Sequence, residues 1–251
     1  MAIWAIADLH LSFGVPDKSM DLFGPQWFNH PEKVKANWLT LISPDDLVLI
    51  PGDISWAMTP ENAKADLDWI DALPGTKVMI RGNHDYWWTS LSKVEKVLPP
   101  SIHLIQNNAF RWKNVAIAGA RLWDTPEYNF KEWVEYRDNP KQREMSKDET
   151  HSKEDDEKIF RRELLRLETS LKALDRQADI RIAMTHYPPI GSPLADSQTS
   201  QLLDKYGINV CVFGHLHNLK PNVQLFGTKN RTLYALTACD YLNFIPLKIS
   251  D

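Results

Sequence analysis

Five short apolar runs in the sequence end in side chains that can bind metal ions or move protons. Residues 3–7 run into Asp8-Leu9-His10, residues 47–50 into Gly52-Asp53, and residues 77–80 into Gly82-Asn83-His84-Asp85. Residues 180–184 run into Thr185-His186, and residues 209–213 into Gly214-His215-Leu216-His217. Carboxylate, imidazole and amide donors suit Mn, Fe, Zn, Co or Ni, and there is no thiolate to favour a structural zinc. The candidate ligands Asp8, His10, Asp53, Asn83, His186, His215 and His217 are more than one ion needs. One carboxylate can bridge two ions roughly 3.5–4 Å apart. Two cations sharing a water lower its pKa from 15.7 toward about 7, giving hydroxide at neutral pH, and neutralise charge on phosphoryl oxygens. The chemistry such a set points to is hydrolysis of a phosphate ester.

These residues must be brought together by the elements between them. The five runs, with further ones at 115–119, 223–226 and 232–236, have strand length and are rich in Val and Ile. Several lack polar alternation, as strands covered on both faces do. Helical patterns span 32–42 after Pro31, 61–73 after Thr59-Pro60, and 196–206 before Gly207. Strand–helix order predicts an α/β fold, and the strand-only end predicts a mixed sheet. Each candidate residue then lies just past the carboxyl end of a strand, the edge where ligands bind in open α/β sheets. Gly52, Gly82 and Gly214 are expected to take backbone angles that turn the next residue toward a ligand. The stretch 131–163 is densely charged and reads as a solvated insertion, centred on 125–160. From Phe160 on, Leu164, Leu167, Leu171 and Leu174 form one helix stripe. With no repeat and no low-complexity linker, residues 1–251 read as one domain.

Asp-x-His and Gly-Asp are weak signals alone, Gly-His-x-His is moderate, and Gly-Asn-His-Asp is specific. Together, from Asp8 to His217, they resemble the full signature of the calcineurin-like metallophosphoesterases. The run Arg-Gly-Asn-His-Asp-Tyr-Trp-Trp at 81–88 is further similar to a bacterial group known only as predicted phosphohydrolases. The resemblance implies a four-layer α/β/β/α sandwich of two mixed β-sheets flanked by helices. It implies one ion on Asp8, His10, Asp53 and His217, and another on Asp53, Asn83, His186 and His215, with Asp53 bridging. It makes His84 the general acid for the leaving oxygen, or a donor to the phosphate. Asp85, next in sequence, is expected to orient the His84 imidazolium, or else to cap the following segment. For the substrate, Arg121 is a candidate phosphate clamp, with a surface salt bridge as the alternative. Trp87 and Trp123 are candidate stacking surfaces, whereas Trp56 and Trp88 are expected to pack the layers. His30, His103 and His151 read as ordinary surface or capping residues.

Net charge is −4, so no basic body neutralises a long nucleic acid, and a small-molecule phosphate ester is the expected substrate. A nuclease or a cyclic-nucleotide phosphodiesterase is the alternative enzyme. A metal-free scaffold of the same fold is disfavoured by the intact ligand set. The two cysteines, Cys211 and Cys239, give no disulfide framework. No run approaches membrane-spanning length, and the apolar residues 2–7 lack the basic flank of a signal peptide. A cytoplasmic location with no membrane partner is expected.

Overall fold

The computed structural model describes residues 1–135, 152–221 and 223–250. In chain order its strands are β1 (Ile3–Ala5), β2 (Leu47–Pro51), β3 (Thr76–Ile80), β4 (Ile102–Leu104), β5 (Ala109–Trp112) and β6 (Val115–Ala120). There follow β7 (Ile180–Thr185), β8 (Val210–Phe213), β9 (Thr228–Lys229), β10 (Thr232–Leu236) and β11 (Leu247–Ser250). The helices are α1 (His30–Leu41), α2 (Pro60–Asp71), α3 (Leu91–Val94), α4 (Lys153–Lys172) and α5 (Gln198–Lys205). One sheet has the order β11-β1-β2-β3-β4, the other β5-β6-β7-β8-β10-β9. Strands β1 to β4 are parallel, and so are β6, β7, β8 and β10. Strands β11, β5 and β9 join antiparallel, so both sheets are mixed, as expected.

Alternation along the strands builds the layers. Leu47 and Leu49 of β2 share one apolar cluster with Ile117, Ile182 and Val212 of the other sheet, which places the two sheets face to face. The intervening Val48 and Ile50 pack instead with Val34, Trp38, Leu67 and Ile70 of α1 and α2. In the second sheet Ala116, Ala118 and Ala183 face Leu167, Leu171 and Leu203 of α4 and α5. Every β2 residue is therefore buried, and the strand has no polar face to alternate. The result is the four-layer sandwich. Among the described residues no helix is long and apolar enough to cross a membrane.

Three expectations need correction. Residues 223–226 form no strand: the free edge of β10 is taken by β9, and the run packs from a loop, with Phe226 edge-on to Phe213 at 4.7 Å. The charged stretch is helical from Lys153, not from Phe160. Ser152 caps that helix, Glu154, Asp155 and Asp156 complement its N-terminal dipole, and Glu154–Lys158 pairs one turn apart, so charge stabilises the helix without an apolar stripe. The buried side of α4 also carries Glu163 and Ser170, while Leu164 is only half-buried. Residues 136–151 of the expected insertion, with His151, lie outside the described residues.

Ser170 attaches α4 to the sheet in a way that exposes the logic of the edge. The β5–β6 pairing ends at Ala109 opposite Ala118. The next pair, Asn108 and Gly119, is bridged by the Ser170 hydroxyl, which accepts from the Gly119 N–H at 2.8 Å and donates to the Asn108 carbonyl at 2.5 Å. Ser170→Ala leaves the buried Gly119 N–H unpaired, while the more exposed Asn108 carbonyl can turn to water, and should destabilise the fold by about 1–3 kcal/mol. Urea unfolding of the variant checks this; an unchanged midpoint would show that the edge closes by itself.

Candidate metal centre

The candidate ligands lie past the carboxyl ends of β1, β2, β3, β7 and β8. The parallel ladder continues into these loops. Asp8 N–H donates to Gly52 O at 3.0 Å, His10 N–H to Asp53 O at 3.0 Å, and Leu11 N–H to Ile54 O at 2.9 Å. Ala7 N–H donates to Thr237 O at 2.7 Å and ties the first sheet to the second. Asp8, His10, Asp53 and His215 take left-handed φ values of 59°, 44°, 53° and 72°. Such angles are uncommon for residues with a Cβ and persist where the surroundings over-determine them.

The glycines act in two ways. Gly52 does have a left-handed φ of 94°, as expected. Gly82 and Gly214 do not; they are needed for close approach. A Cβ on Gly82 would lie 2.1 Å from Asp53 Oδ1, and one on Gly214 2.3 Å from Asp8 Oδ2.

The structure brings all seven candidate ligands together. The ligand atoms of Asp8, His10 and His217 lie within 4.8 Å of one another, as do those of Asp8, Asp53 and His186. Asp53 Oδ2 is 3.7 Å from His10 Nε2 and 3.4 Å from His186 Nε2. Asn83 Oδ1 is 2.6 Å from His186 Nε2 and 3.1 Å from His215 Nδ1. His10 Nε2 and His217 Nε2 face each other at 3.3 Å. The far nitrogens are engaged behind the site: His186 Nδ1 donates to Pro51 O at 3.0 Å, and His217 Nδ1 donates to Asp240 Oδ1 at 2.8 Å. A carbonyl can only accept, so the tautomer of a neutral His186 is set and its Nε2 lone pair is aimed inward. Oriented imidazoles around buried carboxylates fit divalent cations with nitrogen and oxygen ligands.

Burial and mutual charge set the titration of the cluster. Burial pushes the Asp8 carboxyl up to about 7, against the pull of His217 and His186. Burial opposes charge on His186 too, yet Asp53 and Asp8 outweigh it and lift that imidazole to about 9. His217 is lifted to about 10 in the same way, chiefly by Asp240 against burial. Asp53 is held well below the usual carboxylate range, His186 overcoming burial. His10, His215 and His84 are lowered by burial.

His84 lies in the same cluster, its ring 4.6 Å from Trp56 and 5.7 Å from His10, with its N–H donating to Asp53 Oδ1 at 2.8 Å. Its buried Nδ1 has no partner among the described residues. Asp85 does not orient it. The Asp85 carboxylate accepts from the N–H groups of Ile54, Ser55 and Gly82 and from Trp87 Nε1, at 2.7–3.1 Å. It therefore knots the loop after β2 to the loop after β3, a role that neither imidazole support nor a helix cap describes. Its burial, ahead of repulsion from Asp53, pushes its carboxyl up to about 6.

The aromatic expectations are partly reversed. Trp87 is fully buried and cannot stack on a substrate. Trp88 packs as expected, donating to Gln106 Oε1 at 2.7 Å. Trp56, expected only to pack, lines the centre, stacked on His10 at 5.0 Å. Trp123 is half-buried, donates to Asp156 at 2.9 Å, and is separated from His215 by Tyr187, whose ring lies 4.0 Å from His215. Arg121 pairs with the buried Glu163 at 3.5 Å and lies 4.6 Å over Trp123, so it forms the salt-bridge alternative, away from the open surface.

Three contributors were not legible as motifs. Asp240 follows β10, a sixth strand reaching the same edge, but stands without a Gly or His beside it. Trp27 sets its ring edge-on to His10 at 6.1 Å and to His217 at 5.8 Å. His30, expected as a surface or capping residue, is buried and hydrogen-bonds Leu9 O at 2.9 Å, because α1 packs its first turn under the loop after β1. His103, expected as a surface or capping residue, is half-buried and stacks on Phe110 at 4.4 Å.

Fold and site together define a four-layer α/β sandwich with a candidate metal centre at the strand ends. Residues 1–219 match the model of the calcineurin-like phosphoesterases, and the chain belongs to that family. Over 83 residues it is 34% identical to the gene 66 protein of Mycobacterium phage D29, a match covering 33% of this chain and 40% of that protein. The phosphopantetheinyl hydrolase of Mycobacterium tuberculosis shares the fold, with a TM-score of 0.57, 15% identity, and coverage of 99% of this chain and 95% of that one. A protein of unknown function from Aquifex aeolicus aligns over 98% of this chain and 95% of its own, with a TM-score of 0.49 and 12% identity.

Gly82→Ala should displace the Asp53 carboxylate while leaving the strands intact. We expect metal affinity to fall about 10–100-fold with unchanged far-ultraviolet circular dichroism. Metal titration by calorimetry checks this; wild-type affinity would show that Asp53 shifts at no cost.

Proposed function

We propose that this chain binds two divalent transition-metal ions, from among Mn, Fe, Zn, Co and Ni, and hydrolyses small-molecule phosphate mono- or diesters. The observation carrying this reading is Asp53 Oδ2, poised between His10 Nε2 at 3.7 Å and His186 Nε2 at 3.4 Å. On this reading Asp8, His10, Asp53 and His217 hold one ion, and Asp53, Asn83, His186 and His215 the other. Asp8 also nears both groups, but its approach to His186 is to Nδ1, at 3.9 Å, which Pro51 O already engages. Asp53 is therefore the bridge. Bound there, the two ions supply Lewis acidity that activates water and neutralises phosphoryl oxygens.

The chain's own groups do the rest. His84, carried on the same loop as Asn83, donates a proton or a hydrogen bond at the leaving oxygen. Trp56 and Trp27 wall the His10 side against water. Arg121 and Trp123 act only at a distance, through Tyr187 and Glu163. Both cysteines are buried free thiols, which suits a reducing cytoplasm.

Metal titration with p-nitrophenyl phosphate and its bis-ester tests the centre. Activity should rise to a plateau at two equivalents of metal and vanish with chelator. Asp53→Asn should weaken at least one ion and abolish most turnover. Full activity after confirmed metal removal, or two ions bound to Asp53→Asn at wild-type affinity, would overturn the two-metal reading.

His84→Gln should keep both metals and lower turnover about 10²–10⁴-fold on an alkyl phosphate, whose alkoxide needs the proton. A nitrophenyl ester should lose less, because nitrophenolate leaves unaided. Equal losses on both esters would make His84 a phosphate donor only, and loss of metal would make it a ligand.

A further inference from the structure

Two strands from opposite sheets end side by side, and each runs straight into an arginine: Arg81 follows β3 and Arg121 follows β6. The strand ends touch across the seam, where a Cβ on Gly119 of β6 would lie 3.0 Å from Ile80 Cγ2 of β3. Both arginines adjoin the loop of the candidate ligand His186. Arg121 O accepts from the His186 and Tyr187 N–H groups at 3.1 and 3.0 Å. Gly82, next to Arg81, packs against the same loop: a Cβ on Gly52 would meet His186 Nδ1 at 2.6 Å and Gly82 Cα at 2.8 Å. Arg81 also stands two residues before Asn83, so their backbones are no more than about 7 Å apart.

Helix α4 adds two more guanidiniums and one carboxylate. The buried Glu163 receives Arg166 Nη1 at 2.6 Å, Arg121 Nη2 at 3.5 Å and Arg162 Nε at 3.9 Å, all on Oε1. Asp156, earlier on the same helix, accepts from Trp123 Nε1 instead. Arg81 forms no ion pair among the described residues; it is half-buried, and its shielded Nε has no partner. The charges of Arg81 and Arg162 both repel that of Arg121. Four cations thus share a single carboxylate. A guanidinium carries five N–H donors in a planar fork, and withdrawing one from water without an acceptor is unfavourable. The cluster holds an excess of positive charge, in forks that match the paired oxygens of phosphate or sulfate.

Open space adjoins it. Arg162 and Arg166 form part of the wall of a groove of about 590 Å3 along α4, together with Lys158, Arg161 and Asn107, and no carboxylate lines it. Asn107 belongs to the loop after β4. That loop is tied to β3 by Ile105 N–H, which donates to Met79 O at 2.9 Å, and to the segment 81–88 by Trp88 Nε1, which donates to Gln106 Oε1 at 2.7 Å. The groove therefore meets, at its Asn107 end, the segment that carries Arg81, Asn83 and His84.

We propose that Arg81 and Arg162 form a second anion site beside the metal centre, which binds a phosphate-like group other than the one hydrolysed. That group is either a second phosphate on the substrate or a free anion, and the binding chemistry is the same for both. In the first case the proposal rests on the phosphoesterase reading above and narrows it to esters that bear a second anionic group. Arg121 and Arg166 keep Glu163 engaged, so that the carboxylate does not neutralise Arg81.

Sulfate titrated calorimetrically into metal-free protein is the first test. Sulfate should bind, and Arg81→Met and Arg162→Met should each weaken it about tenfold or more. Lys172→Met, an equal loss of charge further along α4, should change it by less than about twofold, because solvent and salt screen an exposed charge at that range. Arg162→Met repeats the result from the helix, away from the ligand-bearing loop, should Arg81→Met disturb that loop. Turnover by metal-loaded protein then identifies the source of the anion. If the substrate carries it, hexane-1,6-diol bisphosphate should exceed n-hexyl phosphate by about tenfold or more in kcat/KM, mainly through KM, and both arginine variants should lose the excess. If the anion is free, the ratio should not exceed the statistical factor for two ends, and sulfate should alter hexyl phosphate turnover in the wild type but not in the two variants. Sulfate binding that depends on both arginines, with no ester hydrolysed, would count against the phosphoesterase reading alone. No binding of sulfate, binding untouched by both arginine substitutions, or an equal loss in Lys172→Met would overturn the proposal.

Discussion

Two carboxylates, Asp8 and Asp53, are withdrawn almost completely from water at the seam between two sheets. An isolated buried carboxylate costs several kcal/mol or shifts its pKa until it is neutral, so the surroundings must answer the charge. They answer in successive shells. His215 N–H donates to both Asp8 oxygens at 3.1 Å, and His84 N–H to Asp53 Oδ1 at 2.8 Å. Imidazoles stand around both, and Pro51 O and Asp240 in turn hold His186 and His217. What the protein groups leave uncompensated is visible in Asp8, which burial still lifts to about 7. A cation placed among these oxygens would complete the balance, which is why a candidate metal centre and a dry seam belong together.

The backbone bears part of the cost. Four ligand-bearing residues sit in the left-handed region, and two glycines are present because nothing larger fits against the carboxylates. Such positions hold only if their loops are fixed from outside. Asp85 does this with one side chain, gathering three backbone N–H groups from two loops and an indole N–H. Removing water from Asp85 raises its own pKa, so the knot has an energetic cost, which the hydrogen bonds from Gly82, Ser55 and Trp87 oppose. Residues that never touch a reacting atom are thereby tied to the precision of those that do.

The centre is asymmetric in its neighbours. Trp56 and Trp27 close the His10 side with rings. Tyr187, Trp123 and the Arg121–Glu163 pair stiffen the His215 side, and α4 supplies the buried Glu163 that anchors them. Behind His217, Asp240 borders an amide-lined cleft.

The convergence of the candidate ligands was legible in the sequence because each follows an apolar run of strand length, and parallel strands bring their carboxyl ends to one edge whatever their separation along the chain. The mixed α/β class followed from the same runs and the helices between them. The four layers came from a resemblance, since runs buried on both faces do not say which neighbour covers each face; only the packing of Leu49 against Ile117 and of Ile50 against α1 and α2 decides it. The role of Asp85 was misjudged because adjacency in sequence is not adjacency of side chains: beyond a strand, successive residues point apart, and Asp85 turns into the core while His84 turns to the site. Trp87 and Trp56 exchanged their expected places for the same reason. Asp240, Trp27 and His30 carry no spacing signal at all, because they reach the centre from other elements through the tertiary fold, where distance in space replaces distance in the chain.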